Sequence, residues 1–164
     1  MLLSHAQIKA LLPHRYPMLL VDNVVDLNPG VSIIARKNVT GTEPCFARVA
    51  DKADAGAYAY PSTLIVESFC QVAGILNAYS CFLARPECLA DQIMLFGAIA
   101  GCRFLGAGAL PGETLQHCVR VDRDLGDSAI CSGEIWVGDR RIAEIERVVA
   151  VYRPAGAINN IGKE

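Results

Sequence analysis

The sequence predicts an α+β domain in which one long helix is enclosed by an antiparallel sheet. Three observations carry that reading. Residues 62–83 are apolar at 65, 69, 72, 76, 79 and 83, and again at 66, 70 and 73, too wide an apolar surface for a helix with a full solvent face. Four strand-like runs follow, separated by short turns, and short turns join antiparallel neighbours. The chain has 164 residues, 52% apolar and 20% charged. That suits a single domain, 1–164, with a substantial core.

The elements follow in order. Ser4 is placed to cap a short helix through Ile8, Leu11 and Leu12 that Pro13 stops. Pro13 and Pro17 bracket His14-Arg15-Tyr16 as an ordered, non-helical loop. Leu19 to Leu27 reads as a strand ending at the turn Asn28-Pro29-Gly30, with Val31 to Val39 as its hairpin partner. Residues 45–60 show no period and read as a loop with a helical turn near Ala47 to Ala53. Pro61 stands at the threshold of the main helix, Ser62 or Thr63 can cap it, and Arg85-Pro86 ends it. The later strands are Ile93 to Phe104, Thr114 to Asp122, Ser128 to Val137 and Arg141 to Tyr152. Turn signals stand at Pro111-Gly112, Leu125-Gly126-Asp127 and Gly138-Asp139.

Composition removes several classes of function. A net charge of −2 leaves no basic footprint for nucleic acid or anionic lipid. The apolar stretches are broken by Glu67, Gln71 or Arg103, so no membrane span is expected. The apolar excess argues against disorder and for an oligomer. The seven cysteines (45, 70, 81, 88, 102, 118 and 131) are odd in number and contain no C-x-x-C pair. Met1-Leu2-Leu3 meets Ser4-His5 too soon to build a secretory signal. The expectation is a reduced, cytoplasmic protein whose cysteines act as small core hydrophobes. His5, His14 and His117 are scattered, so no metal centre is expected.

Glu67 is the residue out of place, set within Leu64-Ile65-Val66-Glu67-Ser68-Phe69. Burying a carboxylate is costly unless it is paired or neutralised. Desolvation favours the acid, whereas the helix N-terminus favours the ionised form by roughly 0.3–1 kcal/mol. Gln71 lies one turn on, within hydrogen-bonding reach. Such a carboxyl is an acid–base candidate; the alternative is a thin polar seam with Thr63 and Gln71. His14 reads as a histidine that hydrogen-bonds a loop backbone, with catalysis the lesser alternative. His117 alternates with Leu115 and Val119 and reads as a satisfied core histidine. The sequence carries no G-x-S-x-G, P-loop or dinucleotide fingerprint.

Three segments resemble the FabZ-type 3-hydroxyacyl-[acyl-carrier-protein] dehydratases. The first is Leu11-Leu12-Pro13-His14-Arg15-Tyr16-Pro17-Met18-Leu19-Leu20-Val21-Asp22. The second is Lys37-Asn38-Val39-Thr40 with Glu43-Pro44. The third is Tyr60-Pro61-Ser62-Thr63-Leu64-Ile65-Val66-Glu67-Ser68-Phe69-Cys70-Gln71. Phe96 to Phe104 and Pro111-Gly112-Glu113 extend the match, which runs from about residue 7 to residue 153. The resemblance implies the hot-dog fold, an antiparallel sheet wrapped around one long helix, paired into a dimer. It implies removal of water from a 3-hydroxyacyl chain on the phosphopantetheine arm of an acyl carrier protein, in fatty-acid or polyketide assembly, with no resident cofactor.

The site residues are implied position by position. Glu67 and Gln71 match the family's helix glutamate and its companion glutamine. The N–H of Ser62 stands where a glycine N–H steadies the thioester oxygen, and Tyr60, Phe96 and Phe104 line the substrate's path. The family's base is a histidine in Gly-His-Phe-Pro, contributed by the other subunit. Here Gly-His falls on Arg48-Val49, and the following loop is longer and lacks Phe-Pro. The resemblance therefore leaves four readings. The chain is an active dehydratase whose substitute base is Asp51, Asp54, Tyr58 or Tyr60. Alternatively, it is a partner that lends Glu67 to a histidine-bearing homologue in a heterodimer. A hot-dog thioesterase and a non-enzymatic acyl-chain or carrier-protein binder are the remaining two.

Overall fold

The computed structural model describes residues 2–84 and 92–154. The short helix α1 spans His5–Leu11. Gln7 Oε1 accepts the Ser4 backbone N–H at 2.9 Å, half of a capping box, and Pro13 ends the element as expected. The hairpin β1 (Asn23–Asn28) and β2 (Ser32–Asn38) turns at Gly30, whose φ of 71° suits glycine. The first strand starts later than Leu19 because the preceding residues are spoken for. Leu20 donates its N–H to the Gln71 side chain, and Leu19 N–H reaches the Arg15 carbonyl.

The helical turn expected at Ala47 to Ala53 does not form. Two 3-10 turns stand instead on either side, at Pro44–Phe46 and Ala55–Tyr58. Pro44 pre-sets φ for the first. Asp54 caps the second by accepting the Ala57 N–H at 3.2 Å.

Helix α2 spans Ser62–Ala84. Its first backbone acceptor is Pro61, which takes the N–H groups of Leu64 and Ile65, so Pro61 rather than Ser62 or Thr63 sits at the cap. Burial all round holds for Ser68–Leu76 but not for the ends: Ser62 and Thr63 are exposed, as are Phe82 and Leu83. By length and composition α2 could cross a bilayer, yet its middle is packed against the sheet. Burying Ile65, Phe69, Ile75 and Leu76, all at or below 1% exposure, contributes about 1.5–3 kcal/mol each. The stop at Arg85-Pro86 lies outside the described residues.

The remaining strands are β3 (Gln92–Phe104), β4 (Thr114–Asp124), β5 (Ser128–Val137) and β6 (Arg140–Pro154). All pairings are antiparallel, in the order β1-β2-β4-β5-β6-β3. The sheet curls around α2, and Gly133 lies tight against it. A Cβ there would lie 2.1 Å from the Cys118 carbonyl oxygen and 3.0 Å from the Phe69 ring. The two sheet edges differ. Leu3 bridges to Val24 and covers β1. The outer edge of β3 has no strand partner among the described residues, and Leu95, Ile99 and Phe104 are 41%, 42% and 46% exposed along it.

Cys45, Cys70, Cys102, Cys118 and Cys131 are free thiols. Burial pushes the Cys70 and Cys131 thiols up to about 12 and about 11, so both are neutral core groups. Cys81 departs from the all-reduced expectation, being disulfide-bonded.

Candidate active site

Glu67 sits in the second turn of α2 with a side chain 34% exposed. Its companion is the one expected. Gln71, itself 1% exposed, donates from Nε2 to Glu67 Oε1 at 2.8 Å. The same amide donates to the Met18 carbonyl at 2.6 Å and accepts the Leu20 N–H at 2.9 Å. A buried amide with its partners in place is rigid. Gln71 therefore pins the 13–20 segment to the helix one turn beyond the carboxylate.

That segment brings His14 to Glu67, a meeting the sequence did not indicate. His14 does not bond a loop backbone. Its Nε2 lies 3.4 Å from Glu67 Oε1, and its Nδ1 is buried without a partner. Arg15 holds the turn by donating to the Leu12 and His14 carbonyls at 2.8 and 2.7 Å. A histidine between two prolines marks a fixed loop, but no local pattern shows that the loop folds onto a helix about fifty residues away.

The other candidates fall in different places. Ser62 and Thr63 begin the helix, and among the described residues no acceptor is bound to their N–H groups, the usual state of a helix start. Tyr60 is 2% exposed and its hydroxyl is buried without a partner; desolvation pushes its pKa upward, ahead of the nearby Glu43 charge. The ring lies under Lys37 Nζ at 5.6 Å and edge-on to Phe46. Phe96 is half-buried against the core and Phe104 is exposed at the end of β3; among the described residues no ring contact joins either to Tyr60. Lys37 and Glu43 form an ion pair 7% and 13% exposed, which anchors the start of the 44–60 segment.

Of the four loop residues weighed as substitute bases, Asp54 and Tyr58 have structural partners, Tyr60 has its hydroxyl buried without one, and Asp51 is exposed. Asp54 is a cap. Tyr58 stacks edge-on against Phe46 at 5.6 Å. Val49 packs against the core and its N–H reaches the Phe46 carbonyl. His117 is fully buried, and only partly satisfied. Ser68 spends its hydroxyl hydrogen on the Ile65 carbonyl at 2.9 Å, so His117 Nε2–H donates to Ser68 Oγ at 3.0 Å. Its Nδ1 has no partner, and desolvation lowers its pKa to about 3.

A FabA-like domain model matches residues 12–146. The 3-hydroxyacyl-[acyl-carrier-protein] dehydratase FabZ of Chloroflexus aggregans is 35% identical over 153 residues, covering 93% of this chain and 99% of its own. FabZ of Pseudoalteromonas translucida is 40% identical, covering 82% and 91%. Among solved structures, the dehydratase heterocomplex ApeI:P from Xenorhabdus doucetiae superposes with a TM-score of 0.74 at 16% identity, over 95% of this chain and 97% of that one. A hot-dog-like protein from Thermanaerovibrio acidaminovorans superposes at 0.59 with 17% identity, over 82% and 90%. The antiparallel sheet curled on one buried helix is thus the hot-dog fold, and the chain belongs to the FabA-like family, among the relatives of the FabZ dehydratases.

Proposed function

We propose that this protein removes water from 3-hydroxyacyl chains carried on an acyl carrier protein, giving the 2-enoyl thioester, as a single-domain subunit of fatty-acid or polyketide assembly. The observation that carries the reading is the Glu67–Gln71 pair. A part-exposed carboxylate is fixed by a buried amide at the position that corresponds to the family's helix glutamate. The unbonded N–H groups at the start of α2 lie about 7.5 Å along the axis from Glu67, at 1.5 Å per residue. They are suited to hold the thioester oxygen as negative charge develops on it. The reaction calls for no resident cofactor, the acyl chain arriving on its carrier. The apolar edge of β3 supports a dimer, with itself or with a histidine-bearing homologue, because a bare edge strand is satisfied by another chain. Among the described residues, five free thiols against one disulfide-bonded cysteine favour a reducing compartment such as the cytoplasm.

The test follows one water by mass spectrometry. The purified chain meets 3-hydroxyacyl carrier protein and, separately, the 2-enoyl product, first alone and then with a histidine-bearing homologue. Conversion in either setting that is lost with Glu67→Gln is the expected result. A fall of about 10²-fold or more is the scale for losing an acid–base group. Conversion untouched by Glu67→Gln, or none in any setting, overturns the reading and leaves a binder of acyl chains or carrier protein.

A further inference from the structure

We propose that Glu67 performs both proton transfers of the elimination by itself and that His14 of the same chain is its positioning residue, so that the site works without a histidine at position 49. The inference rests on the dehydratase reading. It begins from the way the two contacts to the carboxylate are distributed. Gln71 Nε2 and His14 Nε2 both approach Oε1, at 2.8 and 3.4 Å, and among the described residues nothing bonds Oε2. One oxygen is held and the other is left for substrate.

The tautomer of His14 follows from its surroundings. Nδ1 is buried with no acceptor near it. Buried N–H groups without partners are rarer than buried acceptors without them, so the ring hydrogen belongs on Nε2, facing Glu67. The contact of 3.4 Å is long, but hydrogen bonds of this kind tighten as substrate and transition state form. No other histidine among the described residues can take this place. His5 faces the Val21 carbonyl at 3.2 Å and His117 is sealed against Ser68. The other titratable group shown to feel the Glu67 charge is Cys70 on the same helix. Its thiol stays protonated near neutrality, so it neither competes for the proton nor adds charge.

In the step itself, Glu67 Oε2 takes the proton from C2. The electrons of that bond form the C2=C3 double bond as the C3–O bond breaks. The departing hydroxyl takes the proton back from Glu67, leaves as water, and the carboxylate is restored. Both groups leave from the face that Glu67 occupies. The Gln71 amide and the His14 ring, both directed at Oε1, hold Oε2 towards the substrate.

The experiment compares the wild-type chain, alone and with a histidine-bearing homologue, with Glu67→Gln, His14→Leu and His14→Gln. Conversion by the chain alone is expected, with Glu67→Gln inactive. His14→Leu, which has no donor, should lower kcat about 10²-fold, the scale of one lost transition-state donor, with KM little changed and the acid limb of the pH–rate profile moved to higher pH. His14→Gln, whose amide can donate, should recover much of the loss. A His14→Leu protein with wild-type kcat and pH limb, or a His14→Gln protein as slow as it, overturns the role of His14 while leaving the dehydratase reading intact. A chain silent alone but active with the homologue, through Glu67, overturns the single-carboxylate step and again leaves the dehydratase reading standing. Silence in every mixture overturns both. Nitrogen NMR of the wild-type ring decides the donor claim even if His14→Leu does not fold: hydrogen on Nε2 is expected, and hydrogen on Nδ1 alone overturns it.

Discussion

His14 and His117 show how one residue type acquires opposite characters from its neighbours. His14 is one-third exposed and faces a carboxylate. His117 is sealed between α2 and β4, where desolvation lowers its pKa from 6.5 to about 3. A folded-state pKa below the unfolded value means that, between the two, the unfolded chain binds a proton that the folded chain refuses. The stability contributed by neutral His117 is complete above pH 6.5 and is lost as pH falls towards 3, at a rate approaching 1.4 kcal/mol per pH unit, about 2.3RT. Urea unfolding between about pH 7 and pH 5 should therefore show wild-type stability dropping with pH. His117→Gln should flatten that slope whatever its absolute stability. An unchanged slope in the variant would place the proton uptake elsewhere.

At the scale of elements, the contact between α2 and the sheet sets the tolerances. Gly133 on β5 is where the Phe69 ring and the neighbouring strand leave no room for a Cβ. Backbone cannot swing away as a long side chain can. Gly133→Ala is expected to cost about 1–3 kcal/mol, the scale of overpacking, read as a lowered Tm, with Gly30→Ala strained by its positive φ but free of any clash. A Gly133→Ala protein as stable as wild type would mean that strand and helix separate more easily than the packing indicates. The same contact explains the polar core. Ser68 and Gln71 are buried on α2 because each finds partners across the gap, one on β4 and the other in the 18–20 segment.

At the scale of the whole molecule, the described residues leave one sheet edge protected and one bare. The N-terminal bridge at Leu3 covers β1, whereas β3 shows Leu95 and Ile99 on an open strand. Open apolar edges recruit another chain. Light scattering at low micromolar concentration should report a dimer for the wild type. Ile99→Lys, which sets like charges against each other across a symmetric junction, should move the equilibrium towards monomer. A wild-type monomer would refute pairing through this edge. Whether the partner is a copy or a homologue matters to the chemistry only if the Glu67 site needs a second chain, which the assay of the chain alone and with a histidine-bearing homologue decides.

The α+β class, the order of elements and the four late strands were legible in residue order because they rest on periodicity and on turn chemistry, both local properties. Glu67 was legible as an anomaly because a carboxylate in an apolar helix breaks a local pattern, and Gln71 because one helical turn fixes its distance. The 45–60 segment was legible as a loop, but its helical turn was misplaced because weak propensities there yield to Pro44 and to the Asp54 cap. The approach of His14 to Glu67 was not legible for a different reason. It depends on a loop crossing to α2 and being clamped by Gln71, a long-range contact that no spacing along the chain records. Periodicity decides which faces are buried; only the folded chain decides which buried or half-buried polar groups meet, because those meetings are set by where the backbone returns in space.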